Sequence, residues 1–126
     1  MAKSATDAVL DSLLDVVATA TSLSVCASQP TSRAEAVTSA SIMLATVTVT
    51  PTDGSGDFTI ANDTSGRKVT ITEQTAIEVI NTGSASHIAL TDDSNLLVVT
   101  TCTSQSLTDG NTVTVPAWKI NVPDPT

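Results

Sequence analysis

Threonine alternates with valine or isoleucine along much of the chain, as in 47–50, 69–72 and 113–115. A period of two places successive side chains on opposite faces of a β-sheet, so the aliphatic residues lie on the dry face and the hydroxyls on the wet one. The predicted strands are 22–27, 42–50, 58–61, 68–72, 76–80, 87–91, 96–102, 112–116 and 118–122. Because turn-forming residues and not helices connect most of them, the chain is predicted to be mainly β, an antiparallel β-sandwich or a small barrel.

Residues 96–99, Leu-Leu-Val-Val, depart from this alternation because they are apolar on both faces. A strand covered on one side needs one apolar face, whereas a strand covered on both sides is apolar throughout. The sequence therefore predicts that this segment is a central strand of the sheet.

The first 21 residues follow a helical period instead. Between Val9 and Val17, apolar residues recur at spacings of three and four, which predicts an amphipathic helix. Ser4 is predicted to cap this helix and Asp7 to reach back to its start, as in a capping box. The helix is expected either to cover one face or one open end of the sheet, or to serve as a docking arm for another subunit.

A second capping pattern, Ser32 followed by Glu35, predicts a short helical turn after the first strand. At the other end of the chain, Pro123 and Pro125 exclude a helix and favour an extended tail. The predicted division within a single domain is an N-terminal helix in 1–21, a β-domain in 22–122 and a tail in 123–126.

The composition limits the catalytic groups and the classes of partner that the chain can have. The chain has 23 Thr and 15 Ser but one His, one Trp, one Phe and no Tyr, so few side chains transfer protons near neutral pH. Its net charge is −8 with five basic residues, which argues against nucleic acid and anionic membranes as partners, because both require clustered Lys and Arg. The one adjacent basic pair, Arg67-Lys68, is expected to be the exposed start of a strand. Asp residues within the apolar N-terminal segment are atypical of a secretory signal, so synthesis and use in a cytoplasm are expected.

Three features of the sequence resemble a metal site, a catalytic site and a disulfide. Oxygen ligands alternate in Asp53–Asp57 as in a calcium loop, but Phe58 stands where an EF-hand needs glycine. His87 could suggest the base of a catalytic triad, but the sequence contains no G-x-S-x-G motif that would present a serine nucleophile. Cys26 and Cys102 would form one disulfide in an oxidising compartment, or remain two small buried residues in a reducing one. No catalytic, cofactor or metal site is predicted, and the chain is not expected to be an enzyme.

Contacts with other subunits are expected. Aromatic residues make up only 2% of the chain, so the core must be built from small aliphatic side chains that each bury less area. Burial against further copies would add to that core, and self-association is expected, with three copies favoured. The candidate interface residues are Leu10, Leu13, Leu14, Val17, Trp118, Pro123 and Pro125.

Four segments carry a resemblance to a known class of proteins. They are V-C-A-S-Q-P-T-S-R-A-E-A (25–36), D-T-S-G-R-K-V-T-I (63–71), H-I-A-L-T-D-D-S-N-L-L-V-V-T-T-C (87–102) and G-N-T-V-T-V-P-A-W-K-I-N-V-P-D-P (110–125). In texture and order they resemble small β-rich structural proteins of tailed bacteriophages and prophages, a class that includes capsid decoration (cement) proteins, head fibres and tail components.

The resemblance implies a virion protein made in the host cytoplasm, and foremost a decoration protein that binds the major capsid protein, or another virion protein, and stabilises the assembled head. A tail, head-fibre or adaptor component is the alternative reading. A receptor- or carbohydrate-binding module is a second class, although only Trp118 and Phe58 would be available to stack on a sugar. The class has no catalytic residues to transfer to this chain.

Overall fold

The computed structural model describes residues 6–51 and 56–123. In that part of the chain, strands predominate and the two helices lie in the first third. The elements in chain order are α1 (Asp7–Val17), β1 (Ser22–Cys26), α2 (Arg33–Val37), β2 (Met43–Thr48), β3 (Phe58–Asn62), β4 (Arg67–Ile71), β5 (Gln74–Glu78), β6 (Gly83–Thr91), β7 (Leu96–Leu107), β8 (Thr112–Val115) and β9 (Trp118–Val122). The prediction of a mainly β, antiparallel domain with an N-terminal helix and a short second helix is confirmed.

The largest sheet has four antiparallel strands in the order β2-β1-β6-β7. Its register pairs Leu23 with both Val47 and Leu90, and pairs Leu90 with Val98. Because directly opposite residues share a face, these aliphatic side chains form one row on the inner face of the sheet. The alternation in the sequence therefore produces a continuous apolar surface across all four strands.

Two smaller sheets close over that surface, one in the order β3-β4-β9 and one formed by β5 and β8. A bridge between Ala45 and Val79 joins the middle of β2 to the segment after β5, and Pro116 and Ala117 lead directly from β8 into β9. The three sheets share one core, whose largest fully buried side chain is Phe58. This arrangement is a sandwich-like β-domain.

The close approach of β9 to the β3–β4 turn depends on a glycine. Gly66 has a φ of 72°, and a Cβ built there would lie 2.0 Å from the carbonyl oxygen of Val122. The Asn121 side chain completes this contact, since its amide donates to Asp63 Oδ2 and to the carbonyl oxygen of Ser65, at 3.0 Å each. The turn thus fixes the position of β9, which begins with Trp118.

Helix α1 packs across β3, β4, β7 and β9. Leu10, Leu14 and Val17 are buried beneath it, which confirms the interpretation of the helix as a cover for the β-domain. The predicted cap is wrong, because the N-cap is Thr6, whose side chain makes no capping hydrogen bond, and the helix begins at Asp7. Ser4, the predicted cap, lies outside the described residues.

The second capping pattern is confirmed at Ser32, whose Oγ accepts the Glu35 N–H at 3.2 Å. Glu35 does not bond back to Ser32. Its Oε1 accepts the N–H of Thr31 at 2.7 Å and the hydroxyl of Thr31 at 2.8 Å. These hydrogen bonds favour the ionised carboxylate and lower the pKa of Glu35.

Strand β7 lies at an edge of the four-stranded sheet, so the prediction of a central strand is wrong. Its apolar residues are nevertheless covered from both sides. Leu97 and Val98 pack against the main core, whereas Leu96 and Val99 pack against a small cluster of Cys26, Ala36 and Ala89 that includes helix α2. A strand that is apolar on both faces is covered on both faces, but this pattern does not show whether the strand is central or at an edge of the sheet.

Candidate functional site

A cleft of about 430 Å³ opens between β7 and the β8–β9 segment. One wall is the inner face of the large sheet and carries Val25 and Ile88, and the opposite wall carries Val113, Val115 and Trp118. Threonine hydroxyls and the Cys102 side chain on β7 complete the lining. The cleft is therefore apolar at its base and rich in hydroxyls towards β7, a lining that suits a neutral ligand or a segment of polypeptide.

Trp118 is the one large polarisable group in this cleft. Its side chain is half-buried and packs against the main core, as do Ile120 and Val122 on the same strand. The indole Nε1 is buried and has no hydrogen-bond acceptor among the described residues. An N–H that has lost water without gaining an acceptor costs about 1–3 kcal/mol. The sequence had singled out Trp118 by its size, and the structure adds an unsatisfied donor beside an open cleft.

Trp118→Ala is expected to lower the free energy of unfolding by about 2–3 kcal/mol, less than the ~3–5 kcal/mol typical of a fully buried aromatic residue. The expected loss is smaller because one part of the ring packs against the core and the other part lines the open cleft. Urea unfolding followed by circular dichroism measures the change. Lys119→Ala is the matched control, since Lys119 is exposed and its ion pair with Asp63 is worth little. A loss below 1 kcal/mol would show that the ring contributes little to the core.

The one histidine lies beside a serine. Ser86 Oγ donates to the carbonyl oxygen of Ala27 at 2.9 Å and lies 2.7 Å from Nδ1 of His87. A hydroxyl has one proton, so when Ser86 donates to Ala27 the donor in the second contact is His87 Nδ1. The proton that a catalytic base would remove from Ser86 is thus already held by the backbone. This geometry fits a structural hydrogen bond and not an activated nucleophile.

Both cysteines are free thiols. Cys26 is buried beneath α2, and burial, followed by the proximity of Cys102, raises its pKa to about 11. Burial also raises the pKa of Cys102, which is half-buried. Since the thiolate is the reactive form, both cysteines are poor nucleophiles in this fold. Of the two alternatives left open by the sequence, the structure has two small, partly or fully buried thiols.

Asp57, at the end of the calcium-like loop, is engaged by protein groups. Its carboxylate accepts the Thr50 N–H at 2.6 Å, the Thr72 hydroxyl at 2.6 Å and the Gln74 side-chain amide at 3.2 Å. Residues 52–55 of the loop, including Asp53, lie outside the described residues. In the described part of the chain, no three His, Cys, Asp or Glu residues form a group that could hold a metal ion. The hydrogen-bond partners of Asp57 show that its carboxylate links the segment after β2 to the end of β4 and the start of β5.

The hydrogen bonds to Asp57 lower the pKa of its carboxyl, that from the Thr50 N–H most. A carboxyl with a depressed folded-state pKa contributes its full stabilisation above the unfolded value of about 4, and this contribution is lost as the pH falls from that value through the lower folded-state pKa. Asp57→Asn is therefore expected to cost about 1–2 kcal/mol at pH 7 and less at pH 3. Urea unfolding of both proteins at the two pH values measures the difference. An equal cost at both would show that the charge of Asp57 is irrelevant.

Three of the described basic residues make internal contacts. Arg67 makes a bidentate ion pair with Asp11 of α1, at 2.7 Å from Nε and 3.2 Å from Nη2. Lys119 pairs with Asp63 at 2.9 Å, and Arg33 Nε donates to the carbonyl oxygen of Asp92 at 2.7 Å. The Arg67-Lys68 pair does begin a strand, as predicted, but it is half-buried and not exposed. The burial follows from α1, which lies over β4.

The predicted interface residues fall into three environments. Leu10, Leu14 and Val17 are buried against the chain's own sheets, so in this structure they are core residues. Leu13 lies on another side of the helix and is 57% exposed. Trp118 is half-buried in the cleft, Pro123 is exposed, and Pro125 lies outside the described residues.

Leu13 belongs to an apolar surface that the sequence analysis did not separate from the buried face. Val9, Leu13 and Val16 are each more than half exposed, and their spacing of four and three aligns them along α1. At 3.6 residues per turn they centre about 100° away from Leu10, Leu14 and Val17. These three residues, here called the outer stripe, form an apolar surface on a chain whose exposed residues are mainly hydroxyl-bearing or acidic.

No protein-family model, no curated protein and no solved structure matches this chain. Within residues 6–51 and 56–123, no helix is long and apolar enough to cross a membrane. The outer stripe of α1 and the cleft beside β7 are the two candidate binding surfaces of the chain.

Proposed function

We propose that the chain is a structural protein of a tailed-bacteriophage particle, and that it acts as a decoration protein which binds the assembled head. The observation that carries this proposal is the outer stripe of α1, because an aligned set of large, exposed apolar side chains on a small domain is typical of a protein-binding surface. The resemblance of the four sequence segments to phage structural proteins supports the same class.

In this proposal the protein acts by binding the assembled head and catalyses no reaction. A protein that binds the assembled lattice but not its free subunits stabilises the lattice by mass action, and the gain grows with the concentration of the free decoration protein. The outer stripe would supply most of the free energy, at about 25 cal/mol per Å² of apolar area buried. Asp7 and Asp15 are exposed on the same helix, so a basic rim around an apolar groove on the capsid protein is the complementary surface.

The alternative placements use the same surface. A tail, head-fibre or adaptor component would present the outer stripe to a different virion protein. A carbohydrate-binding module is less well supported, because Phe58 is fully buried and Trp118 is the one remaining aromatic residue at a cleft. Sugar recognition usually relies on aromatic faces that are open to the ligand.

The test uses purified particles of the phage whose genome encodes the chain. We expect the protein in multiple copies in those particles, with density for α1 against the outer surface of the head. Particles made without it should release their genome at a lower temperature. Density on the tail or fibre would move the proposal to the alternative placement. Absence of the protein from the particles would overturn the virion role.

A further inference from the structure

The free edge of β7 is the second surface without a described partner. β7 has 12 residues and pairs with β6 along one edge. No backbone group of another described strand pairs with its other edge, so every second residue directs its N–H and C=O away from the sheet. From Thr101 to Ser106, five of the six residues are exposed. An edge of this length is a template for another strand.

Natural proteins usually protect such an edge with lysine, inward-pointing charges or proline. The sequence of β7, L-L-V-V-T-T-C-T-S-Q-S-L, contains none of these. Its register with β6 shifts between Ala85 and His87, where the three residues 102–104 lie opposite Ser86. The bulge interrupts the edge only at 102–104, and the missing charges distinguish β7 from the edge strand β9, which carries Lys119.

The lack of charge also indicates which strand would pair with β7. On a chain of net charge −8, most contacts between two copies bring carboxylates together, and like charges that face each other are destabilising. Two antiparallel copies of β7 bring together only hydroxyl, amide, thiol and aliphatic side chains. Threonine and serine pairs across strands are favourable. A second copy of β7 therefore fits this edge without a charge penalty.

The cleft gives an independent reason. A strand paired with β7 lies about 4.8 Å from it, which places that strand at the mouth of the cleft lined by β7 and Trp118. Trp118 lines this cleft and is half-buried, so an incoming β7 would cover the part of the indole ring that the single chain leaves exposed. The second copy would thus bury additional apolar surface.

We propose that two copies of the chain associate through antiparallel pairing of β7 with β7, which joins their two four-stranded sheets into one continuous sheet. Such a contact is isologous and has two-fold symmetry. It yields two copies and not the three favoured by the sequence analysis. The inference does not depend on the virion role, since it concerns only how the chain associates with itself.

The experiment is sedimentation velocity of the purified full-length chain over a range of concentrations. Antiparallel overlap of residues 96–106 of the two copies centres the two-fold axis on Thr101, so the two Thr101 side chains lie directly opposite each other on one face of the joined sheet. Thr101→Lys and Thr101→Glu are each expected to raise the dimer dissociation constant at least tenfold. An equimolar mixture of the two variants is expected to recover dimers, which a folding defect would not allow.

Thr59→Lys is the matched control, because Thr59 is an exposed threonine on β3, which is also an edge strand. It should dimerise like the original chain. Trp118 is the one tryptophan, so its emission maximum should shift with concentration in the original chain and stay fixed in Thr101→Lys. A monomer at all concentrations, a trimer, or dimers of Thr101→Lys with unchanged affinity would each overturn the proposal.

Discussion

Phe58→Ala is expected to lower the free energy of unfolding by about 3–5 kcal/mol. Phe58 is the one phenylalanine of the chain and is fully buried, in a core otherwise built from Val, Ile, Leu and Ala. Few neighbouring side chains are large enough to fill the space that its ring would leave. Because a domain of this size is stable by only ~5–15 kcal/mol, the variant should be close to unfolding at 37 °C.

Urea unfolding followed by far-ultraviolet circular dichroism measures the loss. Thr59→Ala on the same strand is the control, since Thr59 is exposed and its replacement should change stability by about 0.5 kcal/mol or less. If Phe58→Ala does not fold, Phe58→Leu keeps the test open, with an expected cost of about 1–2 kcal/mol. A loss below 1 kcal/mol for Phe58→Ala would show that the core repacks around the missing ring.

The period of two in the sequence identified the strands because the side-chain direction along a strand is a local property. The faces of β4 and β8 follow directly from it, and Val69, Ile71, Val113 and Val115 are buried as their alternation predicts. In β1 the predicted wet face is wrong, because Ser24 is fully buried between two neighbouring strands. Strand order is a property of the whole chain. The pattern of 96–99 correctly indicated cover on two faces, but it could not show that helix α2 supplies one of the covers and that β7 has a free edge.

The cleft could not be predicted from the sequence for the same reason, since it depends on how distant strands are arranged. It exists because β7 ends one sheet and β8 passes into β9 at Pro116 and Ala117, so two edges that are distant in sequence leave a gap between them. The sequence identified Trp118 by its size alone. Its unsatisfied indole donor and the bulge at 102–104 are results of the tertiary arrangement.

The helix shows where periodicity is ambiguous. Apolar residues occupy nearly half of the circumference of α1, more than one sheet can cover, so the pattern did not separate Leu13 from Leu14. In the observed rotation of the helix Leu10, Leu14 and Val17 face inwards, and Asp11 makes a bidentate ion pair with Arg67. Removal of residues 1–20 is expected to uncover part of the core, because Leu14 and Val17 are buried in it.

Leu13 and Leu14 allow the two roles of α1 to be separated. Leu13 is 57% exposed and Leu14 is 1% exposed, although they are adjacent in the sequence. Leu14→Ala should lower the free energy of unfolding by about 2–5 kcal/mol, because it opens a cavity in the core. Leu13→Ala combined with Val16→Ala should leave the stability of the isolated chain almost unchanged, because neither side chain contacts the core and alanine favours a helix.

The same double variant is expected to bind assembled heads about 100-fold more weakly, because each large aliphatic side chain contributes about 1.5–3 kcal/mol when fully buried. Binding is measured by co-sedimentation of the labelled chain with heads that lack it, over a range of concentrations. Leu14→Ala, tested at a temperature where it remains folded, should bind heads nearly as well as the original chain. Unchanged binding by the Leu13→Ala, Val16→Ala variant would exclude the outer stripe as the attachment surface, and would leave the β7 edge and the cleft as the surfaces through which the protein acts.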